Sequence, residues 1–230
     1  MTRYTLNLQI DSRSLQMLYA AGQRITIGRS VNGGSPNVAW LVFSPLMNNT
    51  ITWEEDYGLY ASTTNLMNGA SIYPMSATAS PAMEASTYPF LPSMSFGIPV
   101  RHAAPAGSFG VQNAAPPAAF PMLTFGLMQS AEVNGAGTPF QVASAMPVLS
   151  QQSAVLTPSL TIYVWLQAMY GSGTCIPNVS GPTTRVTYGG SVTSQTLMYD
   201  PNRGVFAPAA ASTGENASTE HVEVTAPSLY

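Results

Sequence analysis

Residues 159–169 read SLTIYVWLQAM, and this stretch gives the clearest indication of the fold. Its side chains alternate between two faces, one carrying Leu160, Ile162, Val164 and Leu166 and the other carrying Tyr163, Trp165 and Gln167. A repeat of two residues is typical of an extended strand, because successive side chains point to opposite sides of a sheet. The stretch therefore predicts a β-strand with one strongly apolar face.

Similar short patterns recur on both sides of this stretch, between turns rich in Gly, Pro and Asn. Further strands are predicted at 4–10, 24–31, 37–44, 50–54, 57–62, 108–112, 122–129, 184–188 and 192–199. One short helix is predicted after Asp11 or Ser12 as its N-cap, with Gly22 as its stop and an apolar stripe of Leu15, Leu18 and Tyr19. Together these elements predict an all-β fold, a jelly-roll-like or related β-sandwich of roughly ten strands.

We expect a single all-β domain over residues 1–206, because no charged or Gly/Ser-rich linker divides the chain. Residues 207–230 are expected to form a weakly ordered tail, in which 222–225 can add one edge strand.

Residues 74–121 hold nine of the 19 prolines, together with many Ala, Ser and Met residues. Proline cannot donate a ladder hydrogen bond, so a long excursion with few central strands is predicted. It is interpreted either as an arm that wraps a neighbouring subunit or covers a binding face, or as a loop packed on its own domain or partly disordered.

Charge is scarce and unevenly distributed. Charged residues form 7% of the chain, against about 25% in typical soluble domains. There is no lysine, and residues 57–184 contain only Glu84, Arg101 and Glu132 as charged residues. A surface without charge lacks the repulsion that keeps protein molecules apart, so this composition favours self-association. The scattered arginines argue against a nucleic-acid partner, which requires clustered basic residues.

The compartment is predicted from three observations. Cys175 is the only cysteine, residues 1–10 have no hydrophobic signal-peptide core, and no run approaches the roughly 18 apolar residues of a membrane-spanning helix. We expect a cytoplasmic chain without a signal peptide, with non-classical release as an alternative.

The chain offers few groups for catalysis. Its two histidines, His102 and His221, lie in the proline-rich excursion and in the tail, and Cys175 lies in a predicted turn. No phosphate-binding glycine motif is present. The sequence therefore predicts a non-enzymatic protein with no cofactor and no catalytic residues.

The densest polar cluster is Glu54, Glu55 and Asp56. Three adjacent carboxylates are able to bind Ca²⁺ or to supply an acid/base pair, although the glycine of a calcium loop is absent. Strand alternation places Glu54 and Asp56 on one face and Glu55 on the other. A solvated turn that also resists edge pairing is the preferred interpretation, with a metal site as the alternative.

Aromatic residues are the remaining candidates for ligand binding. Trp53, Tyr57 and Tyr60 cluster in the sequence, and Trp165 lies in the strand quoted first. Exposed rings at these positions would stack on a sugar or insert at a membrane interface. The alternative is that most of these rings fill the core.

Three functions remain. The preferred one is a self-assembling structural protein that forms a homo-oligomer or larger assembly, as a subunit of a shell, a filament or an intracellular crystalline inclusion or storage body. Twelve methionines suit such adaptable contacts. The alternative is a carbohydrate- or membrane-binding module such as a lectin, cytolysin or insecticidal toxin. An enzyme using Glu54 and Asp56 is the third.

Overall fold

The structure is a computed structural model that describes residues 2–176, 179, 181–208 and 222–225. This part of the chain contains one helix, α1 (Ser12–Ala20), and twenty strands. The strands are β1 (Arg3–Gln9), β2 (Arg24–Val31), β3 (Val38–Ala39), β4 (Leu41–Phe43), β5 (Asn48–Glu54), β6 (Tyr57–Ser62), β7 (Ser76–Ala77), β8 (Ser86–Phe90), β9 (Val100–Arg101), β10 (Phe109–Asn113), β11 (Met122–Val133), β12 (Ala136–Val142), β13 (Met146–Leu149), β14 (Ser153–Leu156), β15 (Pro158–Gln167), β16 (Thr174–Cys175), β17 (Thr183–Thr187), β18 (Ser194–Asp200), β19 (Val205–Pro208) and β20 (Val222–Thr225). The prediction of a β-rich fold with one short helix is confirmed.

The helix begins where its cap was predicted. The Asp11 side chain accepts hydrogen bonds from the backbone N–H groups of Arg13 and Ser14, which have no partner inside the first turn. Leu18 is buried, whereas Tyr19 is exposed and its hydroxyl donates to the Pro45 carbonyl at 2.6 Å. The predicted apolar stripe therefore faces the core only in part, since Leu18 is buried and Tyr19 is not.

The strands form four sheets. The largest has nine strands in the order β19-β18-β1-β5-β11-β6-β7, with β12 and β13 also paired to β11. A five-stranded sheet has the order β20-β17-β15-β2-β4, a four-stranded sheet has the order β14-β10-β8-β9, and β16 pairs with β3. The N-terminal strand β1 is internal, since it pairs with β5 in antiparallel and with β18 in parallel orientation.

The nine-stranded and five-stranded sheets share a buried cluster with α1, which we call the first core. Alternate residues of each strand point into it, as their period of two requires. Its buried apolar members are Tyr4, Leu6, Leu8, Ile10, Leu18, Ile25, Ile27, Trp40, Leu41, Ile51, Trp53, Ala131, Val133, Ala143, Ile162, Val164, Val186, Tyr188, Leu197 and Phe206.

The other end of the nine-stranded sheet shares a second core with the four-stranded sheet. Its buried members are Tyr57, Leu59, Ala61, Ala82, Tyr88, Phe90, Phe109, Val111, Ala115, Leu123, Phe125, Leu127, Val148 and Leu156. The strands β6 and β11 supply about half of these side chains, so one continuous sheet supports both cores.

The proline-rich segment 74–121 carries four of the strands, β7 to β10. Two of them, β8 and β10, pair in parallel at the centre of the four-stranded sheet and bury Tyr88, Phe90, Phe109 and Val111. Of these four strands only β10 was predicted, as 108–112. The segment therefore packs against other strands of the same chain and supplies one wall of the second core.

The predicted edge strand at 222–225 is confirmed as β20, which pairs with β17. The strand β19 includes residues 207 and 208, at the start of the predicted tail. The rest of the predicted tail, residues 209–221 and 226–230, lies outside the described residues.

Candidate functional site

The segment from Trp53 to Tyr57 connects β5 to β6 and separates two different environments. Its middle carboxylate, Glu55, bonds to buried partners on the core side. Glu54 and Asp56 instead line a cleft on the opposite side. Glu55 is thus separated from the other two carboxylates, although β5 ends at Glu54 and strand alternation does not extend over 55 and 56.

Arg29 is the buried partner of Glu55. It lies on β2, and its Nη2 atom is 3.0 and 3.2 Å from the two carboxylate oxygens of Glu55. The same nitrogen lies 2.7 Å from the Tyr57 hydroxyl and 3.1 Å from the Ser159 carbonyl oxygen. Glu55 also accepts from Trp53 Nε1 at 3.1 Å and from the Tyr57 hydroxyl. This network joins strands of the five-stranded and nine-stranded sheets.

Three aromatic rings surround the guanidinium. The Cζ atom of Arg29 lies 5.3 Å from the ring centre of Trp40, 5.9 Å from that of Trp53 and 5.5 Å from that of Tyr57. Contacts of this kind stabilise a cation by the negative face of the ring, most strongly when water is excluded. The rings and Glu55 together hold a positive charge inside the protein.

The pKa values in this network follow from burial and charge. Burial acts to lower the pKa of Arg29, but the oxygen atoms of Tyr57 and Glu55 outweigh it and raise that pKa above its ordinary value. Burial also raises the pKa of Tyr57 well above its ordinary value, so this phenol stays protonated. The network therefore contains one cation, one carboxylate and one neutral hydroxyl.

The cleft on the opposite side has a volume of about 210 Å³. Its ionisable lining residues are Arg3, Glu54, Asp56 and Glu132. Arg3 and Glu132 form an ion pair at 2.8 Å in which both side chains are about half exposed, so solvent screens their attraction. Burial raises the pKa of Asp56, and the negative charges of Glu54 and Glu55 raise it further.

No group of three or more His, Cys, Asp or Glu side chains is arranged to hold a metal ion in the described ranges. The alternative of a metal site at Glu54, Glu55 and Asp56 finds no support here, because Glu55 turns away from the other two towards Arg29. Cys175 is buried and burial raises its thiol pKa, which disfavours the reactive thiolate. His221 lies outside the described residues.

The four aromatic candidates for ligand binding are all in the interior. Their exposed fractions are 3% for Trp53, 3% for Tyr57, 0% for Tyr60 and 4% for Trp165. Trp53 packs on Tyr4, Trp40 and Tyr188, and the Tyr60 hydroxyl donates to the Ser144 carbonyl. Stacking on a sugar requires an accessible ring face, and none of the four supplies one.

Arg29 itself was absent from the predicted site residues, although a signal existed. In the stretch RITIGRSV, Arg29 falls on the same alternating face as Ile25 and Ile27, both of which are fully buried. A charge on an apolar strand face requires a buried partner, because an unpaired ion in the interior is too costly. The nearby carboxylates at 54–56 supply the partner, but sequence alone does not indicate which one.

The described surface carries seventeen large apolar side chains that are exposed, and twelve of them lie within residues 57–184. They are Met67, Tyr73, Met75, Met83, Leu91, Ile98, Val100, Met122, Phe140, Leu149, Val155 and Met169. The low-charge part of the sequence is thus also the part that contributes most of the exposed apolar side chains.

Comparison with known proteins adds no assignment. No protein-family model matches the chain, and searches of curated proteins and of solved structures found no similar protein. Within the described residues, no helix has the length and apolar composition needed to cross a lipid bilayer.

Proposed function

We propose that the chain is a non-enzymatic structural protein that assembles with copies of itself, as a subunit of a shell, a filament or an intracellular inclusion. The observation that carries this proposal is the exposure of twelve large apolar side chains in a 128-residue span with only three charged residues. Clusters of exposed apolar side chains favour association, and charge of one sign would oppose it.

The outer face of the four-stranded sheet illustrates this surface. Val100, Thr87, Gly110 and Val155 lie side by side across β9, β8, β10 and β14. Val100 is 57% exposed and Val155 is 40% exposed, and the neighbouring Ile98 is 88% exposed. The next row contains Pro89, Gln112 and Ser153 and is likewise uncharged. Two such faces would meet without desolvating a charge.

The finer fold description also remains a proposal. A β-sandwich, jelly-roll-like or related, is supported by the sharing of one buried cluster between the nine- and five-stranded sheets and another between the nine- and four-stranded sheets. A cytoplasmic location, with non-classical release as the alternative, stays a prediction.

The test is the molar mass of the purified chain by size-exclusion chromatography with light scattering, followed by negative-stain microscopy of the same fractions. We expect a mass far above the 24.2 kDa of one chain and discrete or extended particles. A monomer at every concentration would contradict the proposal. If that monomer were retained on vesicles or on a glycan surface, the carbohydrate- or membrane-binding alternative would replace it.

A pair of variants localises the contact. Ile98→Asp combined with Val100→Asp introduces charge on the outer face described above and is expected to shift the mass distribution towards the monomer. Met198→Asp is the matched control, because Met198 is also exposed but lies on β18, outside the low-charge span. Equal masses for the two variants would exclude the four-stranded sheet as the contact face.

A further inference from the structure

The methionines of this chain lie mainly at its surface. Methionine is normally found inside proteins, much as leucine is, and nine of the sixteen leucines in the described residues are buried. None of the eleven methionines in the same part of the chain is buried, and eight of them are exposed. The eight are Met17, Met47, Met67, Met75, Met83, Met122, Met169 and Met198. Most of these thioethers are therefore in contact with solvent.

Five of the eight exposed methionines belong to the low-charge span 57–184 and are among the twelve exposed apolar side chains named above. We call these five the span methionines: Met67, Met75, Met83, Met122 and Met169. A flexible, unbranched side chain adapts to irregular contacts, so it suits a surface that packs on other copies. The remaining three, Met17, Met47 and Met198, lie outside the span and form a matched set.

The other side chains that a peroxide attacks most easily are shielded from solvent in the described residues. Cys175 is buried, and burial raises the pKa of its thiol, so little of the reactive thiolate is present. The three tryptophans, Trp40, Trp53 and Trp165, are buried as well. A peroxide in solution therefore meets the exposed thioethers first.

We infer that the span methionines are sites of reversible oxidation by a peroxide, and that their oxidation releases the chain from its assembly. This inference rests on the proposed self-association. In the reaction, a lone pair of the thioether sulfur attacks one oxygen of hydrogen peroxide, and the O–O bond breaks. The sulfur loses two electrons and becomes a sulfoxide, while the departing hydroxide takes the proton of the transferred oxygen and leaves as water.

The product changes the character of the surface. A sulfoxide is polar and accepts hydrogen bonds from water, whereas the thioether is apolar. A contact between copies would remove that water, and burying a polar group without a new donor is costly. The uncharged, apolar neighbours of the span methionines supply few donors, so oxidation should favour the separate chain.

Light scattering of the full chain before and after treatment with hydrogen peroxide tests the inference, with peptide mass spectrometry locating the oxygen atoms gained. We expect the molar mass to fall towards the 24.2 kDa of one chain while the far-UV circular dichroism stays unchanged. Methionine sulfoxide reductases for both epimers should restore the assembly.

The possible failures are distinguishable. A chain that is monomeric before peroxide is added would contradict self-association itself. An assembly that persists after the span methionines are oxidised would overturn only the present inference. Disassembly that accompanies unfolding would overturn it too, and so would span methionines that stay reduced while Met17, Met47 and Met198 are oxidised.

Two sets of leucine substitutions assign the effect to particular residues. Leucine keeps the apolar character and nearly the volume of methionine but has no sulfur. The first variant should assemble like the natural chain and keep its molar mass in peroxide; it combines Met67→Leu, Met75→Leu, Met83→Leu, Met122→Leu and Met169→Leu. The matched control should lose its assembly in peroxide as the natural chain does; it combines Met17→Leu, Met47→Leu and Met198→Leu. Equal sensitivity of the two variants would place the effect at other residues and overturn the inference.

Discussion

The first and second cores lie against the same nine-stranded sheet and are both rich in aromatic rings, but two of the three rings around the buried Arg29 guanidinium belong to the first core and only Tyr57 to the second. In the second core, Phe90, Phe96 and Phe125 pack edge to face with ring centres 5.1 to 6.3 Å apart. In the first, Trp40 and Trp53 border the Arg29 guanidinium. The comparison shows that one of the few charges in this chain is buried among aromatic rings, where the loss of its counter-charge costs more stability than it would at the surface.

Removing a ring from the second core should produce the largest loss of stability. Phe90→Ala is expected to lower the free energy of unfolding by about 3–5 kcal/mol, because Phe90 is fully buried and the cavity left behind cannot collapse completely. Urea unfolding followed by tryptophan fluorescence measures it. Phe90→Leu, which keeps most of the volume, should cost clearly less, and equal losses would show that the ring contacts contribute little.

Removing the counter-charge of the buried Arg29 should have the next largest effect. Glu55→Gln leaves the buried Arg29 without its counter-charge and is expected to lower the free energy of unfolding by about 2–3 kcal/mol. This is less than for a fully buried pair, because the Glu55 side chain is 25% exposed. The same urea experiment measures the loss.

The surface ion pair provides the matched control for that variant. Glu132→Gln removes the partner of Arg3, where both side chains are well solvated, and should change the free energy of unfolding by no more than about 0.5 kcal/mol. Similar losses for the two glutamine variants would mean that burial of Arg29 does not strengthen its pairing. The expected difference between the buried and the surface ion pair would then be wrong.

The smallest effect is expected at Asp56, which lines the cleft beside Glu54. Its pKa is raised above 3.8, mainly by burial and secondarily by Glu54 and Glu55. The folded state therefore binds the proton more tightly than the unfolded state, and stability falls as the pH rises from about 3.8 through the raised pKa. Asp56→Asn should thus raise the unfolding midpoint near pH 7, and its advantage should shrink towards pH 3.

Melting curves at several pH values measure this effect, and a ¹³C NMR titration of the Asp56 carboxyl reads its pKa directly. Ser130→Ala is the control, since Ser130 lines the same cleft without a charge. Its difference from the natural chain should not vary with pH. An Asp56→Asn difference that grows on acidification would have the opposite sign and contradict the assignment.

Strands with regular alternation were predictable from the sequence. The stretch at 159–169 forms β15, and the predicted strands at 4–10 and 57–62 form β1 and β6 within about one residue at either end. In each, local side-chain periodicity coincides with burial on one or both faces. The helix cap at Asp11 was predictable for the same reason, because capping depends on neighbouring backbone groups.

The strand β8 was not predicted because it contains Pro89, and proline is uncommon inside a sheet. The Pro89 carbonyl accepts a hydrogen bond from Gly97 N–H, so the nitrogen of the same residue faces the side of β9. On that side regular pairing with β9 covers only Ser86 and Thr87, and the isolated bridge between Phe90 and Phe96 uses the Pro89 carbonyl and the Leu91 N–H but no donor at position 89. Whether a strand accepts proline at such a position depends on how the neighbouring segment pairs with it, and the local sequence pattern does not contain that information.

The candidate site was predicted only in part. The carboxylates at 54–56 stood out in the sequence as its densest polar cluster, but the aromatic residues Trp53, Tyr57, Tyr60 and Trp165 proved to be buried. Aromatic clusters look alike in sequence whether they fill a core or line a surface. The pairing joins Arg29 on β2 to Glu55 in the connection between β5 and β6, so it depends on tertiary packing that the sequence pattern does not contain.

The placement of β1 has a consequence for the order of folding events. This strand lies inside the nine-stranded sheet, with Thr5 opposite Ser194 on one side and Thr52 on the other. Its pairing with β5 closes a loop of 38 residues, 10–47, whereas its pairing with β18 joins Thr5 to Ser194, 189 positions later in the chain. Contacts so distant in sequence form slowly, because the entropy of a long loop must be lost first. We therefore expect β1 to pair with β5 before it pairs with β18, and the β1–β18 pairing to close in a late, rate-limiting step.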